Sequence, residues 1–332
     1  MIREDLLDLL PADSQRILFA PLNWGLGHAT RSIPIIYKLL DCGKNIVLAS
    51  DGEALELLKE EFPYLPAIEL SPYSVSYNSR NLLSVVFSNF FNVLSAIFRE
   101  KREATKLVKK HNIDTIISDS RFGFRSHKAH SVVISHQLNL KVWGGKLSYF
   151  VHLINQFLIN RFNQCWIPDD PEVKLSGGLS INKSIKNKNY IGVQSRLKAD
   201  TKELKYDIAI LISGPEKART IFEEKLIFQF KTSKKRIALI RGTCKGPQLG
   251  LPENWKVIER ANSQEMASVI NSSQLIISRA GYSSIMDYYF LGKKAIIIPT
   301  PGQAEQEYLA RELNDKFGFK SITEDNLERV VL

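Results

Sequence analysis

RILFAPLNWGLGHATRSIPIIYKLL, residues 16–40, reads as a strand, a tight glycine turn and an amphipathic helix in direct succession. Ile17, Leu18 and Phe19 follow one another without polar alternation, which suits a strand covered on both faces. Gly25 and Gly27 would let the turn bring backbone N–H groups and the positive helix end close to an anion. As a dinucleotide fingerprint the turn is poor, because His28 follows G-x-G and no third glycine comes at the required place.

The same alternation continues along the chain. NIVLAS, DTIISDS and SVVISH follow in the first half, and YDIAILIS, RIALIRG, KVIER, QLIISRA and KAIIIPT in the second. Continuous apolar strands separated by helix-like segments predict α/β architecture with parallel sheets. Between the two sets lies PDDPEVKLSGGLSINKSIKNKN, residues 168–189, rich in Gly, Ser, Asn and Lys. It predicts a Rossmann-like domain over 1–168, a linker with a closing strand (NYIGV) over 169–205, and a second Rossmann-like domain over 206–332. Two such domains are expected to face a cleft onto which the carboxyl ends of their strands open.

The formal net charge of +10 over 332 residues leaves nucleic acid, an anionic membrane face or a phosphorylated substrate as partners. Nucleic acid is disfavoured by the lack of a recognised motif or a basic stretch interleaved with aromatics. Cys42, Cys165 and Cys244 are isolated and odd in number, which points to a reducing, cytoplasmic compartment. MIREDLLDLL lacks the pattern of a signal peptide. NLLSVVFSNFFNVLSAIFREKREATKLVKKHN, residues 81–112, has an apolar front with Phe87, Phe90, Phe91 and Phe98 and a basic back. It falls short of the roughly 20 apolar residues of a membrane span. It reads either as a long helix with a core front and a solvated back, or as an element lying on the inner face of a membrane.

Four turns carry the chemistry. His28, with an ordinary pKa near neutrality, suits general base work, against a structural role capping the helix. Arg31 lies one turn further on, as an acceptor contact or a surface charge. In SRAGYSSIMD, 278–287, Ala280 and Gly281 make a turn. Ser283 and Ser284 sit at a helix start where phosphate oxygens or plain N-capping would use them. Asp287 follows one turn later, within reach of a ribose diol. PTPGQAEQEYLA, 299–310, offers Gln303 and Gln306 to sugar hydroxyls, and ISGPEKART, 212–220, offers Ser213 and Gly214, with Pro215 as a first helical residue. Together these turns suggest a diphosphate-bearing ligand. No cluster has metal-ligand spacing; His127 and His130 read as solvated loop residues.

The pairing of G-x-G-H with SRAGYSSIMD and PTPGQAEQEYLA resembles the MurG-like glycosyltransferases, the family 28 group of the GT-B fold. The resemblance implies inverting, metal-independent transfer of a sugar from a nucleotide-diphosphate donor, typically UDP-linked, to an acceptor such as a lipid, with no cofactor. It places Asp287 where the family has a glutamate holding the donor ribose. Ala280, Gly281, Ser283 and Ser284 match the diphosphate turn, Ser213 and Gly214 a turn near the phosphates, and Arg196 an arginine reaching the diphosphate. Met266 matches the segment near the uracil, and Gln303 and Gln306 address the donor sugar. On the acceptor side stand Trp24, Gly25, Gly27, Arg31, His136, Gln137 and Asn139, with His28 as base. The chain departs from the family in a first loop poorer in glycine, in Asp287 itself, and in SGPEKART, which lacks a second glycine. Two rivals share these residues: a nucleotide-sugar hydrolase of the G-x-G-H-x-x-R type using water, and a non-catalytic nucleotide-sugar-binding protein.

Overall fold

The computed structural model describes residues 6–72, 82–140, 145–242 and 250–330, and of residues 82–94, 145–147 and 329 the backbone alone. Cys244 and the side chains of Phe87, Phe90 and Phe91 lie outside this description. The chain divides into two units, Met1–Lys174 with Gly178–Gln194, and Ser195–Leu332 with Leu175–Gly177.

The first unit runs β1 (Arg16–Pro21), α1 (Gly27–Asp41), β2 (Asn45–Ser50), α2 (Gly52–Glu61), β3 (Ala67–Glu69), α3 (Leu82–His111), β4 (Thr115–Asp119) and β5 (His130–Ile134). It ends with α4 (Gly145–Ile159), β6 (Gln164–Ile167) and β7 (Lys188–Tyr190). All pairs are parallel, in the order β3-β2-β1-β4-β5-β6-β7. β1 is buried on both faces. Ile17 and Phe19 join Ile33, Ile36 and Leu39 of α1, while Leu18 and Ala20 join Val47, Ala104, Val108 and Ile116. That two-sided burial is why the strand does not alternate.

The second unit runs β8 (Tyr206–Leu211), α5 (Ala218–Phe230), β9 (Ile237–Ile240), β10 (Trp255–Ile258), α6 (Ser263–Asn271) and β11 (Ser273–Arg279). α7 (Tyr282–Phe290), β12 (Ala295–Ile298), α8 (Ala304–Leu313) and β13 (Phe319–Ser321) complete it. Its parallel sheet has the order β10-β9-β8-β11-β12-β13. Each unit is thus doubly wound, with its first and fourth strands adjacent. At that pair the strand order reverses, and ligands of such sheets bind outside the carboxyl ends of the strands there. NYIGV supplies the edge strand β7. Strands β3, β6 and β13 were not read from the sequence: none of AIE, QCWI and FKS is a continuous aliphatic run, as the equally short IALI of β9 and AIII of β12 are. Pro215 does not open a helix; α5 begins at Ala218, after Lys217 at φ 70°.

Behind the carboxyl end of β1 sits a buried charge network. Arg121, fully buried, donates to the carbonyl of Pro21 (3.3 Å), to Glu100 on α3 (3.0 Å) and to Asp51, the N-cap of α2. Glu100 also accepts the amide of Gly123 (3.1 Å), and burial pushes its carboxyl up to about 7 despite the neighbouring guanidinium. One side chain therefore ties β1, α2 and α3 together. Arg121→Met should cost about 3–5 kcal/mol in urea unfolding, because it strands two buried acids. A loss below about 1 kcal/mol, the size of an exposed pair, would contradict this role.

Candidate functional site

In the first unit the site forms where β1 and β4 end side by side. Pro21 pairs with Asp119 across the sheet, and the amide of Leu22 donates to the Asp119 carbonyl (3.0 Å). The chain leaves β1 through Trp24, 60% exposed, and turns at Gly25, whose φ of 70° favours glycine. It enters α1 at Gly27 without a side-chain cap from Leu26. The first turns of α1 thus bring His28 and Arg31 over the end of β4.

There the Asp119 carboxylate is fully buried and takes three donors. Arg31 donates Nε–H to Oδ2 (2.6 Å) and Nη2–H to Oδ1, while His28 Nδ1 lies 2.9 Å from Oδ1. Arg31 Nη1 donates to His136 Nδ1 (3.3 Å), and Nη2 to Ser120 Oγ (3.3 Å). The guanidinium beside Asp119 outweighs the burial that opposes its charge, and holds its carboxyl far below the usual range. Burial first, then Arg31, pull His28 below its ordinary pKa of 6.5 despite Asp119. Nδ1 also lies 2.8 Å from Arg31 Nη2, which can only donate. Because Nη2 already gives an N–H to Asp119 Oδ1, we place the His28 proton on Nδ1, toward the ionised carboxylate, which can only accept. Nε2 then carries the lone pair. An oriented, neutral imidazole, its side chain 19% exposed, is competent to take a proton from a hydroxyl.

Of the residues expected in this unit, the structure brings together His28, the expected base, with Arg31 and His136, expected on the acceptor side. Gln137 accepts from Asn155 through its carbonyl (2.8 Å), and Asn139 is tied to the Gly178 carbonyl (3.4 Å). Asp119 was not singled out in the sequence. The signal was an acid as the last residue of a fully buried strand, DTIISDS, at a carboxyl end.

In the second unit the corresponding strands are β8 and β11, paired through Leu211 and Ser278. Gly214, at φ 111°, follows β8 with Ser213. Gly281 is the N-cap of α7, so Ser283 and Ser284 lie inside the helix and neither N-caps it. Gly281 has an ordinary φ of −75°, and a Cβ there would meet no atom within 4 Å. Neither backbone nor packing asks for glycine at that position.

Asp287 on α7 is half-buried and accepts the Ser195 hydroxyl at 2.6 Å, which in turn accepts the amide of Leu197 (3.2 Å). Arg196 donates to Ser263 (3.1 Å) in the first turn of α6, where Met266 also sits. Gln306 holds the loop before α8, accepting the Thr300 amide (2.9 Å) and donating to Gln303 (2.6 Å). Its amide organises that loop as much as it faces outward. Arg279, missed in the sequence, is buried at the end of β11. It donates to the carbonyls of Pro299 and Ala218, pairs with Glu324 (2.7 Å) and stacks 3.7 Å over the Phe222 ring. It fixes the loops after β8, β11 and β12 around one another. Among the described residues no group of three or more His, Cys, Asp or Glu side chains could hold a metal ion.

The fold, two doubly wound parallel units with polar, glycine-bearing loops at their carboxyl ends, is the one shared by the GT-B glycosyltransferases among solved structures. Residues 225–331 match the glycosyltransferase family 28 C-terminal domain. A relative from Sulfurihydrogenibium sp. (strain YO3AOP1) is the UDP-N-acetylglucosamine–N-acetylmuramyl-(pentapeptide) pyrophosphoryl-undecaprenol N-acetylglucosamine transferase. It is 24% identical over 319 residues, covering 92% of this chain and 84% of that one. Among solved structures, MurG of Acinetobacter baumannii is 15% identical with a TM-score of 0.53, over 94% of this chain and 86% of that one. The calicheamicin glycosyltransferase CalG4 is 12% identical with a TM-score of 0.67, over 95% and 87%. Residues 225–331 thus resemble the family 28 C-terminal domain, and over most of its length the chain is similar to MurG-type glycosyltransferases.

Asp287 gives this site a pH signature. Burial raises its carboxyl from 3.8 to about 6, against the Ser195 hydrogen bond and Arg196. The folded state therefore holds a proton that the unfolded chain has already lost, and stability falls as pH rises through that window. Asp287→Asn should flatten the fall when unfolding is followed against pH. An unchanged slope would mean that Asp287 titrates as an ordinary carboxylate.

Proposed function

We propose that the protein is an inverting, metal-independent glycosyltransferase that moves a sugar from a UDP-linked donor to a lipid-linked acceptor at the inner face of a membrane. The observation that carries this reading is the His28 imidazole, held by Asp119 and kept neutral beside Arg31. His28 Nε2 takes the proton of the acceptor hydroxyl as its oxygen bonds to the anomeric carbon. The bond from that carbon to the diphosphate oxygen breaks on the opposite face, which inverts the configuration. The departing charge needs fixed positive partners. Arg196 and the N–H groups that begin α7 are suited to that electrostatic work. Ser213 and Gly214 line the same end of the sheet, and Asp287 has a second oxygen for a ribose hydroxyl beyond the one that Ser195 engages. Gln303, Gln306 and Met266 are left for the sugar and the base.

The uridine and the lipid-linked acceptor follow the Sulfurihydrogenibium relative, a UDP-N-acetylglucosamine transferase acting on a pyrophosphoryl-undecaprenol, and the first unit supports the lipid. α4 exposes Tyr149, Phe150, Leu153 and Phe157, spaced to share one helix face. On α3, Phe98 is 65% exposed beside Lys101, Arg102 and Lys106. Aromatic rings flanked by lysine and arginine suit an anionic lipid surface. Among the described residues no helix is long and apolar enough to cross a membrane.

A UDP-sugar should raise the melting temperature of the full-length protein, and Asp287→Ala should remove the shift. His28→Ala and Asp119→Asn should lower turnover by about 10²–10⁴-fold while leaving that shift in place. Loss of donor binding in His28→Ala would make the histidine a donor or structural residue. No shift with any nucleotide sugar would overturn the reading. Free sugar released equally fast with and without lipid acceptors would replace transfer by hydrolysis.

A further inference from the structure

The reacting groups of the first unit stand at the carboxyl ends of its strands, and a second concavity lies at the opposite ends. A cavity of about 630 Å³ opens where β1, β4, β5 and β6 begin. That volume is in the range of small-molecule sites, roughly 300–1,000 Å³. Arg125 lines it and is only 7% exposed, yet among the described residues nothing accepts a hydrogen bond from its guanidinium or pairs with its charge. Guanidinium stays charged in proteins, so a buried one without an anion is costly to keep. Arg161 lines the same cavity, and its charge adds to burial in pulling the Arg125 pKa down. Lys128 adds a third cation.

The loop that carries these groups is fixed. The Ser126 amide donates to Ser131 Oγ (3.3 Å), the Lys128 amide to Ser126 Oγ (3.2 Å), and the Ser131 amide to Asn163 Oδ1 (2.8 Å). His130 is not the solvated loop residue expected from the sequence: it opens β5, and its Nε2 is buried without a partner. The acids absent from the sequence neighbourhood of the HxxH pair, Asp13 and Asp114, arrive from the segments before β1 and β4. Asp114 Oδ2 takes the amides of Gln15 (2.8 Å) and Arg16 (2.6 Å), while Oδ1 is buried and, among the described residues, accepts nothing. The lining therefore has two unmet needs, an oxyanion for the arginines and an O–H donor for Asp114.

We propose that this cavity binds a phosphorylated, hydroxyl-bearing small molecule, with its phosphate on Arg125 and Arg161 and a hydroxyl on Asp114. The site is separate from the His28 centre, at the opposite ends of the strands of the same sheet, and does not depend on the donor reading of the second unit. Isothermal titration of the full-length protein with glucose 6-phosphate, inorganic phosphate, glucose and phosphatidic acid vesicles tests it. Glucose 6-phosphate should bind saturably, inorganic phosphate more weakly, and glucose not at all. Arg161→Gln, a change at an exposed side chain, should weaken glucose 6-phosphate by about tenfold or more, the size of a lost charged hydrogen bond. Arg125→Gln should do the same, and the thermal shift with a UDP-sugar should persist in Arg161→Gln. No saturable binding of glucose 6-phosphate, or equal affinity in Arg161→Gln, would overturn the site. Inorganic phosphate binding as tightly would remove the hydroxyl contact, and binding by the vesicles alone would assign the arginines to a lipid headgroup.

Discussion

A carboxylate with no exposure to water, at the end of β4, must stay ionised, and Arg31 is what keeps it so. Removing either partner would leave a buried charge alone, at a cost of about 3–5 kcal/mol. The pair therefore fixes where α1 sits on the sheet, and with it His28, one turn earlier on the same helix face. The same guanidinium that anchors Asp119 also repels a proton from His28. Position and protonation state of the proposed base thus follow from one interaction.

Topology explains why that interaction can form. In both units the first and fourth strands are neighbours, and their following loops emerge together where the strand order reverses. Each unit also places a buried arginine close to the end of its fourth strand. Arg121 reaches the Pro21 carbonyl, Asp51 and Glu100; Arg279 reaches the Pro299 and Ala218 carbonyls and Glu324. In both cases a single planar group with five donors satisfies carbonyls and acids that the ends of the strands leave without partners. The loops at these strand ends are held from beneath by arginine.

Much of this was legible in the sequence. Nine strands and the closing edge strand announce themselves through continuous apolar runs, because both faces of each sheet are covered. The short strands at Ala67–Glu69, Gln164–Ile167 and Phe319–Ser321 do not, since none of AIE, QCWI and FKS is a continuous aliphatic run. His28 and Arg31 stood out beside their glycines. Asp119 did not, because a single acid after an apolar run reads equally well as the start of a loop. Arg121 and Arg279 were hidden for a related reason: their partners lie 20 to 100 residues away, at Pro21, Glu100, Ala218, Pro299 and Glu324, and no local pattern records them. The basic cavity at the amino ends of the first sheet is built from four separate segments, and only the folded sheet assembles it.

The chemistry asked of His28 rests on its being neutral with its proton on Nδ1, facing Asp119. Nitrogen-15 NMR of the imidazoles in the full-length protein, titrated against pH and assigned with His28→Ala, reports both properties at once. The account predicts a neutral, Nδ1-protonated His28 at pH 7, titrating below the ordinary 6.5. A His28 that is protonated at pH 7, or that carries its proton on Nε2 with Nδ1 accepting from Arg31, would contradict it.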